Sequence, residues 1–195
     1  MIKPFGLALA GLLLAALAAP ATPAAPAAPA TPVASQPAFR LRGLDFANGA
    51  ALPPVHAYNG ASSRCHGGNA APTLTWSGAP AATRSFALLM FDPDAKPNGW
   101  VHWLVYNIPA TAHTLTAASA PTYTLGMTSF GTAKYGGPCP PLHDKPHHYY
   151  FTLIALRTAH VKAPPGIALT RDGFIRATRR QWIVYTQLIG TFQRP

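Results

Sequence analysis

Asp92 and Asp94, in the run Phe91-Asp92-Pro93-Asp94-Ala95, are two of only five acidic residues in a chain of 195, and all five are aspartates. A histidine follows closely in Gly99-Trp100-Val101-His102-Trp103. A second segment, Tyr135-Gly136-Gly137-Pro138-Cys139-Pro140-Pro141 and then His147-His148-Tyr149, carries the same kind of proton-bearing groups beside another stiff Gly/Pro turn. A carboxylate hydrogen-bonded to an imidazole fixes its tautomer and raises its pKa, which leaves a ring nitrogen or a positive charge to meet a ligand. That chemistry suits an anion, and Asp92 is placed to act this way on His102. The same groups suit acid–base catalysis in a closed pocket. Neither segment, however, supplies a Ser or free Cys nucleophile beside a base, so no catalytic residue is assigned. The plainer alternative stays open: Asp and Pro also build ordinary turns, and each histidine taken singly reads as a hydrogen-bonded or exposed residue.

Short β-type runs position these groups: 73–76, 85–91, 101–108 and 149–156, each bounded by Gly, Pro or Asp. The runs 85–91 and 149–156 are too continuously apolar for a sheet with one wet face, so they are expected in a central sheet covered on both sides. Strict alternation in the third run sends His102 to the face opposite Val101 and Trp103. The same rule puts His147 and Tyr149 on one side of their strand and His148 on the other. The prolines at 138, 140 and 141 have no amide N–H, so that turn is stiff and offers carbonyls. Towards the C-terminus, Thr170 caps a helix starting at Arg171, with Asp172 opposing the positive end of its dipole. Phe174, Ala177 and Trp182 are expected to face inward. A last strand is expected over 183–189, broken at Gly190.

The first 18 residues have the order of a secretory signal: Lys3, an apolar stretch from Phe5 to Leu17, then small residues, with cleavage expected after Ala18. The apolar run is shorter than the roughly 20 residues of a spanning helix. Residues 19–37, nearly all Ala, Pro and Thr, read as an extended linker, and 38–195 as one domain. The expected location is periplasmic or secreted. In such a compartment the two cysteines, Cys65 and Cys139, are expected to form a disulfide. Cys139, His143 and His147 are evenly spaced and His102 could join them, but exported cysteines pair and the prolines break the helix that would align the set. No metal site and no cofactor is assigned. The formal charge of +10 does not mark a nucleic-acid binder. Most arginines are scattered, and only Arg171, Arg176, Arg179 and Arg180 cluster, which implies at most weak contact with an anionic membrane surface.

Together, Asp92-Pro93-Asp94-Ala95, Gly99 to Pro109, Tyr135 to Pro141 and His147 to Phe151 resemble the phosphatidylethanolamine-binding protein family, and most of all its bacterial, Raf kinase inhibitor-like branch. The resemblance extends from Phe46-Ala47-Asn48-Gly49 to the closing Leu188-Ile189-Gly190-Thr191-Phe192. It implies a mainly β fold, with a large central sheet, a smaller sheet packed on one face and a C-terminal helix. It also implies a small pocket for phosphate-like or carboxylate anions, or a phospholipid headgroup, formed by Asp92, His102, Pro140, Pro141, His147 and Tyr149. Asp94 would brace the turn, and Trp100 and Trp103 would pack around the pocket wall. Inhibition of a protein partner through the rim is known for relatives, but nothing in this chain names the partner. The chain departs from the family pattern at Lys96, which stands in place of Pro, at Ala71 in place of Ser and at His143 in place of Gly.

Overall fold

The structure, a computed structural model, describes residues 38–60, 64–95, 97–116, 119 and 122–194. The expected signal and linker, residues 1–37, and Lys96 lie outside the described residues.

The described chain contains β1 (Arg40–Gly43), β2 (Asn59–Gly60), β3 (Cys65–His66), β4 (Leu74–Ser77), β5 (Ser85–Asp92), β6 (Trp100–Pro109), β7 (Thr114–Leu115), β8 (Thr124–Leu125), β9 (His147–Leu156), α1 (Arg171–Thr178) and β10 (Trp182–Phe192). A five-stranded sheet in the order β10-β9-β5-β6-β8 is the centre, β1-β4-β7 form a smaller sheet, and β2 pairs with β3. All strand pairs are antiparallel.

The central sheet is apolar on both faces, as the continuous runs on β5 and β9 require. On one face Phe86, Leu88, Met90, Phe151 and Leu153 join Leu41, Leu74, Trp76 and Leu115 of the smaller sheet in one core. On the other, Ala87, Leu104, Tyr106 and Ile154 pack with Phe174 of α1 in a second core. The Thr170 hydroxyl caps α1 by accepting from Gly173 N at 3.2 Å. Phe174 is buried, but Ala177 faces solvent. Thr178 takes its place inside, donating to the Phe174 carbonyl at 2.8 Å and accepting from Trp182 Nε1 at 3.0 Å, so a satisfied hydroxyl lies where an apolar side chain was expected.

The last strand does not break at Gly190. It runs to Phe192, with Gly190 paired to Tyr149. A Cβ at Gly190 would come within 2.7 Å of the Leu52 side chain, so the glycine serves the close approach of the 48–52 segment that runs alongside β10.

The β6 strand breaks the alternation rule where it matters. Met90 pairs with Trp103, but Phe91 pairs with Val101, so β6 holds one extra residue at His102. Through this bulge Val101 joins the helix-side core while Trp103 joins the opposite one. The expectation that Val101 and Trp103 share a face is therefore wrong; a bulge inserts an unpaired residue and inverts the side-chain phase beyond it.

Candidate functional site

A cavity of about 510 Å3 opens at the end of the central sheet where β5 stops and β6 and β9 begin. Asp92, His102, Pro140, Pro141, His147 and Tyr149 all line it, together with Trp100, Asp94 and Asp144. Tyr58 and Phe130, which stack at 4.7 Å between ring centroids, close one wall. Sequence reasoning missed Tyr58, Phe130 and Asp144. Tyr58 and Phe130 carry no motif, and they reach the cavity only through long-range packing. Trp103 is not a lining residue; it lies behind the wall, edge-on to Tyr135.

Asp92 sits at the last position of β5, on the face that Met90 and Leu88 share. One oxygen, Oδ1, accepts from the backbone N–H of Asp94 at 2.8 Å and of Ala95 at 3.2 Å, which folds the Asp-Pro-Asp turn. The other, Oδ2, accepts from His147 Nδ1 at 2.7 Å, and both side chains are buried. The carboxylate thus orients His147 and not His102. Asp94 braces the turn from its far side, as expected. Its Oδ2 accepts from the backbone and Nδ1 of His148 at 2.9 and 2.8 Å, and its Oδ1 from Lys145 Nζ at 3.3 Å, so it ties the turn to the start of β9. Burial acts to raise the Asp94 pKa, but the His148 and Lys145 hydrogen bonds outweigh it and bring the value down to about 2.

His102 is held by the glycine turn. Its Nδ1–H donates to the Gly136 carbonyl at 2.7 Å, while the Gly136 N–H donates to the His102 carbonyl at 3.0 Å. Burial lowers its pKa to about 4, although the Gly136 bond and the Asp92 charge oppose the shift. At neutral pH the ring is therefore uncharged, and with Nδ1 protonated, Nε2 carries the free lone pair. Of the two alternatives, a ring nitrogen or a positive charge, burial favours the ring nitrogen, because the loss of hydration outweighs the neighbouring carboxylate; the direct carboxylate partner expected for His102 goes to His147 instead.

Tyr149 is fully buried and stands edge-on to the His102 ring at 5.1 Å. Burial, and then the nearby Asp92 charge, push its pKa well above the usual tyrosine value, so it stays a hydroxyl. Its oxygen makes no hydrogen bond of good geometry among the described residues, although the Asp92 carboxylate is close enough to act on it. Both ring nitrogens of His147 face carboxylates, Asp92 on one side and Asp144 Oδ2 at 3.5 Å on the other. Asp144, at the mouth, is held below its ordinary pKa by the Lys145 backbone N–H and then by His147.

The proline turn does not leave its carbonyls free. Pro138 O accepts from Tyr58 N at 2.9 Å, and Pro140 O accepts from Arg194 Nε at 2.6 Å, which brings a guanidinium against the pocket wall. Cys139, between them, is bonded to Cys65, with their Cα atoms 6.0 Å apart. The bond joins the pocket wall to β3 and removes Cys139 from any thiolate or metal-ligand role. No group of three or more His, Cys or acidic residues able to hold a metal is found among the described residues. Behind the turn, His56 accepts or donates at both nitrogens, meeting Asp45 Oδ2 at 2.5 Å and the Ala70 carbonyl at 2.7 Å. Its own carbonyl accepts from the Tyr135 hydroxyl at 2.9 Å. A Cβ on Gly137 would collide with that same His56 carbonyl, so the turn can pack there only as glycine.

A model of the phosphatidylethanolamine-binding protein family matches residues 42–193. The chain is 42% identical over 137 residues to the UPF0098 protein YbcL of Escherichia coli K12, covering 66% of this chain and 74% of YbcL. It is 36% identical over 149 residues to a Mycobacterium tuberculosis H37Rv protein bearing a lipoprotein name, LppC, covering 76% of this chain and 69% of the relative. Among solved structures, the crystal structure of E. coli YbcL superposes with a TM-score of 0.73 at 34% identity, covering 80% of this chain and 99% of that one. A family homologue from Chlamydia trachomatis gives 0.71 at 27% identity, covering 83% and 100%.

Proposed function

The chain belongs to the phosphatidylethanolamine-binding protein family, and on that premise we propose that it is an exported binding protein whose pocket takes a phosphate-type anion, free or as a headgroup. The observation that carries this reading is the buried Tyr149, which lines the cavity and whose hydroxyl makes no hydrogen bond of good geometry among the described residues. A buried polar group left unpaired costs on the order of 1–3 kcal/mol, which a ligand oxygen recovers on binding.

The His102 ring, edge-on to Tyr149 with centroids 5.1 Å apart, offers a neutral acceptor at Nε2. A donor and an acceptor side by side fit an anion that carries one proton of its own: one oxygen accepts from Tyr149, and its hydroxyl donates to His102. A phosphate monoester, whose second pKa is about 6, has such a form near neutrality. Affinity for a phosphate monoester then weakens as pH rises through that value, because the ligand loses its proton and not because His102 titrates. The pocket's carboxylates do not forbid an anion. Asp92 and Asp94 are each covered by several donors, and Arg194 lies behind Pro140.

Binding is favoured over hydrolysis by the chemistry of the wall. Among the described lining residues there is no Ser, Thr or Lys, and the Cys139 sulfur is bonded to Cys65. Export is supported by the signal-like first 18 residues and by the disulfide, which persists in oxidising compartments. No helix among the described residues is long and apolar enough to cross a membrane.

Titration calorimetry with inorganic phosphate tests the reading, using the wild-type protein and the His102→Ala, His147→Ala double variant. Binding by the wild type that the variant loses supports the pocket. Equal affinity in both proteins at every pH overturns it.

A further inference from the structure

The eight-residue α1 is about 12 Å long at 1.5 Å per residue, whereas β9 and β10, with 10 and 11 residues, extend about 33 Å or more. One short helix cannot cover the face beneath it. Between α1 and the β9–β10 half of the sheet a groove of about 490 Å3 remains, within the range of small-molecule sites. Its floor and walls include Leu89, Phe91, Ile154, Ile175, Trp182 and Tyr185. It lies on the opposite face of the sheet from Tyr149 and is separate from the pocket described above.

One cation stands on this apolar groove. The Arg171 guanidinium lies over the Phe91 ring, with Cζ 4.7 Å from the centroid. Its Nη1 donates to Asp172 Oδ1 at 3.3 Å, but its Nε–H is buried and has no acceptor among the described residues. Charge around it is one-sided. Arg176, Arg179 and Arg180 are exposed on the same helix and just beyond it, with Asp172 as the single acid there. The other four aspartates are engaged elsewhere, three in the anion pocket and Asp45 with His56.

We propose that this groove is a second ligand site, and that its occupant is a single-chain anionic amphiphile such as a fatty carboxylate. The chain lies on the apolar floor towards Tyr185, and the head group accepts from the Arg171 guanidinium, including its unpaired Nε–H. The apolar lining alone would admit any hydrophobe. The orphaned donor at one end selects a charged head, since a charge-assisted hydrogen bond there replaces an unmet one. The neighbouring arginines raise the local concentration of anions.

The test is titration calorimetry of the full chain with laurate, octanoate and butyrate, each below its micelle concentration, and with 1-decanol as a neutral-headed control. Affinity is expected to rise with chain length by up to about fourfold per buried methylene. Arg171→Met keeps the stem packed on Phe91 and removes the charge; it should weaken laurate about tenfold, or about 1.4 kcal/mol, and leave decanol unchanged. Ile175→Trp should block the groove to all four ligands. Tyr185, 54% exposed, can be replaced without risk to the fold, and Tyr185→Ala should also weaken laurate. Thermal melts of each variant report on folding, and His102→Ala should leave laurate binding intact whatever the anion pocket holds. The proposal is overturned if laurate gives no binding, if its affinity is the same in all the groove variants, or if His102→Ala abolishes it.

Discussion

Replacing His102 by Gln tests the claim that this ring is neutral in the folded protein. Gln keeps a donor for the Gly136 carbonyl but cannot titrate, so the difference between the two proteins isolates the proton linkage of one residue. The folded pKa is about 4 and the ordinary value is 6.5. Between those values the unfolded chain binds a proton that the folded chain refuses, so stability rises with pH across this window and falls on acidification. At pH 4.5 the linkage destabilises the wild type by roughly 2–3 kcal/mol, and at pH 7.5 by almost nothing. Urea unfolding of both proteins at half-unit steps from pH 4.5 to 8 measures the two curves, and titrations common to both cancel in the difference. The wild type should lose roughly 2–3 kcal/mol more than H102Q on going from pH 7.5 to 4.5. Parallel curves would refute the buried neutral ring. A wild type that gains stability relative to H102Q in acid would show a proton-stabilised cation in its place.

Three further outcomes are expected. Tyr149→Phe should weaken phosphate binding by about 10- to 100-fold in calorimetry, the worth of one hydrogen bond to a charged group, while its melting temperature should change little, because no hydrogen bond of good geometry is lost. Asp144→Asn should weaken phosphoethanolamine, whose ammonium can meet the carboxylate at the pocket mouth, and leave inorganic phosphate affinity unchanged or improved; equal losses for both ligands would place the ammonium elsewhere. The Cys65→Ala, Cys139→Ala double variant should lose about 4 kcal/mol in urea unfolding, the chain-entropy value for a bridge spanning 74 residues.

The strand runs were legible because β5, β6 and β9 are long, apolar and bounded by breakers, and the Asp-Pro-Asp and Gly-Gly-Pro segments named the pocket's composition. Alternation placed His147 and Tyr149 together on β9, which is regular through this stretch, and put His148 outside. It failed on β6, where one extra residue at His102 sends Trp103 to the same core as Tyr149. Nothing local in Trp-Val-His-Trp announces that insertion, since it is set by pairing with β5. The bulge is also what brings His102 to the cavity, so the pattern fails at the site itself. The partners of each charged group were similarly hidden. Adjacency on paper joined Asp92 to His102, while the folded chain joins Asp92 to His147 and gives His102 to a glycine carbonyl 34 residues away. Gly190 was read as a strand end, because its contact, Leu52, comes from a distant loop.

A crystal structure of the protein grown with inorganic phosphate is the most direct test of the central claim. The account predicts phosphate density in the cavity, with one oxygen in hydrogen-bonding distance of the Tyr149 hydroxyl and another of His102 Nε2. An empty cavity at saturating phosphate, or an ion held only at the rim by Arg194 or Lys145, would contradict it.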